Sequence, residues 1–274
     1  MKFSIFQESR IGKRRINQDR MNYSFTRDAL MMTVADGMGG HPHGEVAAQI
    51  AVQVITDAFV AAARTTIHDP YQFLSRTLSQ AHLAINDHAN KHGMSETPRT
   101  TCVVCIVQDN AAHWAHVGDS RLYAIRAGRL LVQTRDHSQV QLMLEQGLIE
   151  PDDVATHPAR NRVYSCLGGN LLPEIEFSRK TPLKAGDVIA LCSDGAWAPF
   201  TDDTLVHALA TTSPAHAVPK LLNLAEVAAG KHCDNLTLMA MQWEEGNTVQ
   251  VDKTEAMANT ENTHMPIQPE QNSQ

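Results

Sequence analysis

The sequence has no apolar run that approaches the roughly 20 residues of a transmembrane helix, and its first residues, MKFSIFQESRIGKRR, lack the long apolar core of a secretory signal. Positive charge is also scarce, because 23 Lys and Arg stand against 30 Asp and Glu and give a formal net charge of −7. Proteins bind nucleic-acid phosphates through clustered Lys and Arg, and this sequence does not show such clusters. The composition therefore argues against a nucleic-acid-binding surface. We expect a cytoplasmic protein and a monomer, with no membrane and no nucleic-acid partner.

Cysteine is limited to five residues, an odd number without the spacing of a disulfide framework, which agrees with a reducing compartment. Cys102 and Cys105 form a C-x-x-C within the β-branched run TTCVVCIVQ. Residues three apart on a strand point to opposite faces, so this pair is unsuited to one metal ion. We predict that both are buried as small apolar side chains.

The apolar pattern predicts an α+β fold. Helical periodicity extends over Glu45–Arg64 and again from about Tyr71 to His92, with no strand between the two helices. Short apolar runs separated by turn residues then predict an antiparallel meander, at CVVCIV, AHWAHV and RLYAIR, with further strands at DVIALCS and LTLMAMQW. Because strands and helices do not alternate strictly, we expect packed sheets with helices outside them.

Two segments lie outside this pattern. Asp136–Ala159 contains a helix ending near Gly147 and then a polar stretch with two prolines, which predicts a surface insertion. From about Glu245 onward the sequence is rich in Asn, Thr, Gln and Glu without apolar periodicity. That composition predicts a disordered tail.

Several aspartates stand at the ends of predicted strands. They are Asp19 in NQDR, Asp36 in VADGMGG, Asp119 in HVGDSR, Asp194 in ALCSDGAW and Asp234 in CDNL. Any one of them alone is consistent with a turn residue. The repeated arrangement instead predicts that several strands aim carboxylates at one point.

Such a cluster would need cations or protons. Three carboxylates about 4 Å apart would repel by roughly 12 kcal/mol in total at an effective dielectric constant near 20, which is comparable with the whole stability of a domain. Oxygen ligands favour hard ions such as Mg²⁺ or Mn²⁺ over zinc. Gly37, having no side chain, could let its carbonyl approach such an ion closely.

Eight stretches in this order resemble the motifs of the metal-dependent serine/threonine protein phosphatases of type 2C, in their compact bacterial form. They are RRINQD, VADGMGGHPHGEVAA, RTTCVVCIV, HWAHVGDSRLYAIRAGRL, TRDHSQVQLMLEQGLI, HPARNRVYSCLGG, GDVIALCSDGAW and DNLTLMAMQW. The resemblance spans about residues 1 to 243. It implies a four-layer αββα sandwich, two antiparallel sheets flanked by helices, with the metal centre at one end.

The resemblance also implies a centre with two Mn²⁺ or Mg²⁺ ions. Asp36 matches the carboxylate that bridges the ions, and the Gly37 carbonyl matches a ligand of one of them. The other matched positions are Asp194 and Asp234 as ligands of the other ion, Asp19 as the residue that holds metal-bound water, and Asp119 as the site of a third, weaker ion. Gln18 stands where some relatives have Glu, which lowers the negative charge near one ion.

Two further residues are implied to act on the substrate. Arg14 matches the arginine that grips the phosphate, and its neighbour Arg15 is the alternative. His41 matches the histidine of the glycine-rich motif, which would help to protonate the leaving group, with His43 as the adjacent alternative.

The implied function is hydrolysis of phosphoserine and phosphothreonine in proteins through a metal-bridging water or hydroxide. Its substrates would be phosphorylated by a cognate serine/threonine kinase. We predict a catalytic domain over residues 1–244, with a flap at about 137–165, and a tail over 245–274. One alternative is an inactive phosphoprotein-binding module on the same fold. Another is a metal hydrolase acting on nucleotides, although DGMGGH lacks the Gly-Lys-Ser/Thr of a P-loop.

Overall fold

Two antiparallel β-sheets form the centre of the structure, a computed structural model that describes residues 1–38 and 43–244. The strands are β1 (Lys2–Arg10), β2 (Asp19–Phe25), β3 (Ala29–Asp36), β4 (Cys102–Gln108), β5 (Ala111–Val117), β6 (Arg121–Arg126), β7 (Arg129–Gln133), β8 (Glu176–Phe177), β9 (Thr181–Pro182), β10 (Val188–Cys192) and β11 (Leu236–Glu244). One sheet has the order β1-β11-β10-β6-β7. The other has the order β2-β3-β4-β5-β8, and β9 also pairs with β5.

Helices cover the outer face of each sheet. They are α1 (Gly44–Ala62) and α2 (Pro70–Lys91) on one sheet, and α4 (Asp194–Trp197), α5 (Asp202–Thr211) and α6 (Pro214–Ala229) on the other. A further helix, α3 (Gln139–Glu145), packs against the short 3₁₀ helix at Pro151–Thr156. Three apolar clusters separate the layers. One lies between α1, α2 and the six-stranded sheet, one between the two sheets, and one between the five-stranded sheet and α5 and α6. The expected αββα sandwich is therefore the observed fold.

The central strands β3, β4 and β10 are apolar on both faces because both faces are buried. Met31 faces the cluster under α1 and α2, whereas the next residue, Met32, faces the space between the sheets. Cys102 and Cys105 divide in the same way between these two clusters, as the period-two geometry of a strand requires. The prediction that both cysteines are buried apolar side chains is confirmed.

The two long helices were predicted within two residues of their observed ends. Asp69 starts α2 by accepting hydrogen bonds from the backbone N–H groups of Tyr71 and Gln72. Helix α1 has 19 residues and a mean hydropathy of 1.4, which makes it the one helix in the described part of the chain long and apolar enough to cross a membrane. The expectation that no apolar stretch approaches the length of a transmembrane helix was therefore wrong, judged by the length and composition of α1. Residues such as Ala48, Val52 and Ile55 are nevertheless buried in the cluster beneath it.

The segment at 137–165 contains α3, which begins after the N-cap residue Ser138, and a 3₁₀ helix at Pro151–Thr156. The short strands β8 and β9 were not predicted, because two residues show no periodicity. The predicted tail at 245–274 lies outside the described residues, and its disorder stays a prediction.

Candidate metal centre

Two of the predicted carboxylates lie side by side on neighbouring strands. Asp19 begins β2 and Asp36 ends β3, and the antiparallel register pairs these two residues directly. Side chains of directly opposed residues lie on the same face of a sheet. Asp19 is 2% exposed, and Asp36 is partly buried beside it.

The other three carboxylates lie next to the ends of strands of the five-stranded sheet. Asp194 follows the end of β10 and Asp234 precedes β11, and these two strands pair antiparallel with Cys192 opposite Leu238. Asp119 lies in the turn that leads from β5 to β6, and it is 7% exposed. The Trp197 indole N–H, from α4, donates to the Asp119 carbonyl at 3.0 Å.

These five carboxylates form one electrostatic cluster. Burial, together with repulsion from each of the other four, raises the pKa of Asp36 well above its usual range. Burial and then Asp194 raise the pKa of Asp119, while burial and then Asp234 raise the pKa of Asp194. Burial also raises the pKa of Asp19 to about 6, although hydrogen bonds from Ser193 and Thr237 oppose the shift. The convergence predicted from sequence is therefore the arrangement in the structure.

Within the part of the chain that the structure describes, only one of the two carboxylate oxygens of Asp19 accepts a hydrogen bond. The Ser193 hydroxyl donates to Asp19 Oδ2 at 2.7 Å, whereas Asp19 Oδ1 is buried and has no hydrogen-bond partner among the described residues. A buried carboxylate oxygen without a donor is costly unless a cation or water satisfies it. This oxygen, in an all-oxygen donor set, fits hard divalent cations.

The backbone packs too tightly around Gly37, the residue after Asp36, to leave room for a side chain there. A Cβ added to Gly37 would lie 2.3 Å from the Gly44 carbonyl oxygen and 2.9 Å from the Gln18 carbonyl oxygen. The Gly37 N–H donates to that Gln18 carbonyl, and the Thr100 hydroxyl donates to the Asp36 carbonyl. Gly37 therefore lets α1 begin close to the carboxylate cluster.

Arg14 contacts the cluster directly. Its Nη2 donates to Asp234 Oδ2 at 2.5 Å, and that hydrogen bond raises the pKa of the Arg14 guanidinium. The side chain stays 52% exposed, so its remaining N–H groups are accessible from solvent. The adjacent Arg15 is exposed and has no ion pair among the described residues. This contrast favours Arg14 over Arg15.

His41 lies outside the described residues, and its predicted role stays a prediction. The alternative, His43, is exposed and lies 3.7 Å from Glu45 at the start of α1.

Three residues that organise the cluster were not singled out from sequence. Asn235 accepts from the Gln18 N–H and donates to the carbonyls of Ile11 and Ile16, which ties the segment that carries Arg14 to the start of β11. Ser193 links Asp19 to the neighbouring sheet, since its Oγ also accepts from the Thr237 N–H. The only sequence feature that could have indicated Asn235 and Ser193 was their position next to Asp234 and Asp194.

The third residue is Arg121, in the same GDSR stretch as Asp119. It donates two hydrogen bonds to Asp136, at 2.9 Å and 2.8 Å. Its guanidinium lies 3.4 Å from the centre of the Trp197 ring. Arg121 thereby joins the turn that holds Asp119 to α4.

Comparisons with known proteins agree on one family. A family model described as protein phosphatase 2C matches residues 6–221. The serine/threonine protein phosphatase PstP of Mycobacterium tuberculosis is 31% identical over 215 residues, which are 77% of this chain but only 40% of PstP. The protein phosphatase PhpP of Streptococcus pneumoniae is 30% identical over 238 residues, 85% of this chain and 94% of PhpP. The crystal structure of the PstP catalytic domain in complex with two manganese ions matches 89% of this chain and 99% of that chain, with a TM-score of 0.75 and 27% identity.

Proposed function

This chain belongs to the protein phosphatase 2C family, and on that premise we propose that it is a metal-dependent enzyme that hydrolyses phosphoserine and phosphothreonine in proteins. The observation that carries the proposal is the cluster of five carboxylates, in which burial and then mutual repulsion raise the pKa values of four members. A cluster of this kind is stabilised by divalent cations.

The metal ligands would be Asp36, Asp194 and Asp234, with the Gly37 carbonyl beside them. Asp119 would hold a third, weaker ion. Two Mn²⁺ or Mg²⁺ ions bound there would lower the pKa of a water molecule and neutralise phosphate oxygens. Asp19 would accept a hydrogen bond from that water, a role supported by its unpartnered Oδ1.

Arg14 would bind the phosphate group of the substrate. Its guanidinium presents several N–H donors in one plane and can bind two phosphate oxygens at once. The exposed half of the side chain is available for this contact while Asp234 holds the other part in place. Arg14 would thus orient the phosphorus atom towards the carboxylate cluster.

The test is hydrolysis of a phosphothreonine peptide by the purified protein with Mn²⁺, with Mg²⁺ and with a chelator. We expect turnover only with added metal, and its loss in the Asp194→Asn variant. Asp87→Asn is the matched control, because Asp87 pairs with Lys91 on the outer surface of α2, away from the cluster. A folded protein that binds the phosphopeptide without hydrolysing it under any metal would instead support the inactive binding module. Faster hydrolysis of nucleotides than of phosphopeptides would support the small-phosphoester alternative.

Substrates phosphorylated by a serine/threonine kinase, a cytoplasmic location and a monomeric state are part of the same proposal. The location is supported by the five cysteines, which all lie in the described part of the chain and are all free.

A further inference from the structure

A groove with a cationic rim opens beside the carboxylate cluster. It is a shallow groove, more open than enclosed, with a volume of about 520 Å³. We call it the basic groove, and its basic lining residues are Lys13, Arg14, Arg160, Lys231 and His232. All five are exposed.

Three segments distant in sequence build the basic groove. The Lys13 N–H donates to the Cys233 carbonyl at 3.0 Å, which fixes the first segment against the short 3₁₀ helix Gly230–His232. Gly12 makes this contact possible, since a Cβ there would lie 2.0 Å from the Asp234 carbonyl oxygen. Arg160 comes from the turn at 157–162, within the predicted flap, where its N–H donates to the His157 carbonyl.

The charge of this groove contrasts with that of the protein. Four of the 23 Lys and Arg residues line it, in a chain of net charge −7. Within residues 1–38 and 43–244, no carboxylate lies within 4 Å of the side-chain nitrogens of Lys13, Arg160 or Lys231. Elsewhere Arg121 and Arg126 each pair with an aspartate, at 2.8 Å and 2.6 Å. A cleft lined by unpaired charges of one sign concentrates ligands of the opposite sign.

Arg14 belongs both to the basic groove and to the carboxylate cluster. A peptide whose phosphate is bound by Arg14 would place the residues that flank the phosphate at the groove, because Arg14 is part of its lining. An extended chain advances about 3.3 to 3.6 Å per residue, so residues only a few positions from the phosphate come within reach of the other cations.

We propose that the basic groove binds acidic side chains that flank the phosphorylated residue of the substrate. The inference rests on the proposed phosphatase function, and it specifies the substrate class: phosphorylation sites in acidic sequence. Each exposed ion pair changes affinity by a factor of about 1.4 to 5. Two or three such pairs raise kcat/KM about tenfold.

The test compares three phosphothreonine peptides with the same core and with flanks of Glu, Gln or Lys. A small aryl phosphate without flanking residues is the reference substrate. The groove variant is Lys13→Gln/Lys231→Gln, which leaves Arg14 and the carboxylate cluster intact. Lys91→Gln is the matched control, because Lys91 lies on the outer surface of α2 and pairs with Asp87.

We expect kcat/KM to be about tenfold higher for the Glu-flanked than for the Gln-flanked peptide, and lowest for the Lys-flanked one. The preference for the Glu-flanked peptide should weaken as salt is raised from about 0.05 to 0.3 M, because dissolved ions screen the attraction between exposed charges. It should fall to below about threefold in the groove variant, as two pairs are lost, while the aryl phosphate is hydrolysed as by the wild type.

Equal kcat/KM for the three peptides, with hydrolysis still dependent on metal, would overturn the groove assignment and leave the phosphatase function intact. A preference for Glu that persists in the groove variant would also overturn it. If neither the aryl phosphate nor any peptide is hydrolysed, the phosphatase function fails, and the groove inference fails with it.

Discussion

The Arg14→Ala variant tests the division between folding and substrate binding at this site. In the structure Arg14 pairs with Asp234 at 2.5 Å, but the two side chains are 52% and 34% exposed. An ion pair this accessible to solvent contributes about 0 to 1 kcal/mol to stability. The variant should therefore unfold within about 1 kcal/mol of the wild type.

The effect on substrate binding should be much larger. A hydrogen bond to a charged group contributes about 1.5 to 3 kcal/mol, which corresponds to a factor of about 10 to 150 in affinity. We expect the KM for a phosphothreonine peptide to rise by about that factor, with a smaller change in kcat. Arg14→Lys should give an intermediate KM, because it keeps the charge and loses the planar arrangement of donors.

Arg15→Ala is the matched comparison, since Arg15 is exposed, adjacent in sequence and outside the lining of the basic groove. Steady-state kinetics with a phosphopeptide, together with urea unfolding of each variant, separates the two effects. An unchanged KM in Arg14→Ala, or an equal rise in Arg15→Ala, would refute the assignment of the phosphate to Arg14.

Three further predictions concern stability. Gly37→Ala should destabilise the protein by about 1 to 3 kcal/mol, because the new Cβ would lie 2.3 Å from a backbone oxygen; an unchanged urea midpoint would contradict this. Arg121→Met should cost about 3 to 5 kcal/mol by leaving Asp136 unpaired, and much of that loss should be recovered in Arg121→Met/Asp136→Leu; thermal unfolding measures both. Burial, then His116 and Arg135, lower the pKa of His137 to about 3, below the value of about 6.5 in the unfolded chain. Protonation then favours the unfolded state, so the contribution of neutral His137 to stability is complete above pH 6.5 and falls by about 1.4 kcal/mol per unit below it. His137→Asn should remove that part of the pH dependence in urea titrations between pH 7.5 and 5, and an identical slope would rule the effect out.

Much of the fold was readable from local sequence because its long elements repeat a simple pattern. The apolar spacing in residues 45–64 and the continuous apolar run at 102–107 gave the correct type and approximate bounds of α1 and β4. Strands β8 and β9 could not be predicted, because two-residue strands exist only through their pairing with β5.

The residues of the candidate site also divide into those that local sequence identifies and those that depend on tertiary contacts. The five aspartates were recognisable because each stands where a strand ends or begins. Asn235 was not, because its function depends on contacts with the backbone of Gln18, Ile11 and Ile16, more than 200 positions away. The basic groove is a product of tertiary structure for the same reason, since residues 13–14, 160 and 231–232 meet only in the folded chain.

The carboxylate cluster takes its members from both sheets. Asp19 and Asp36 belong to the six-stranded sheet, whereas Asp194 and Asp234 adjoin strands of the five-stranded sheet, and the Ser193–Asp19 hydrogen bond already crosses between them. Any cation shared by these carboxylates would act as a cross-link at one end of the sandwich, while the rest of the interface is held by apolar side chains. Sliding of one sheet over the other would then be restrained most strongly where β10 ends and β11 begins. Amide hydrogen exchange at Ser193 and Thr237 would slow as the occupancy of the centre rises.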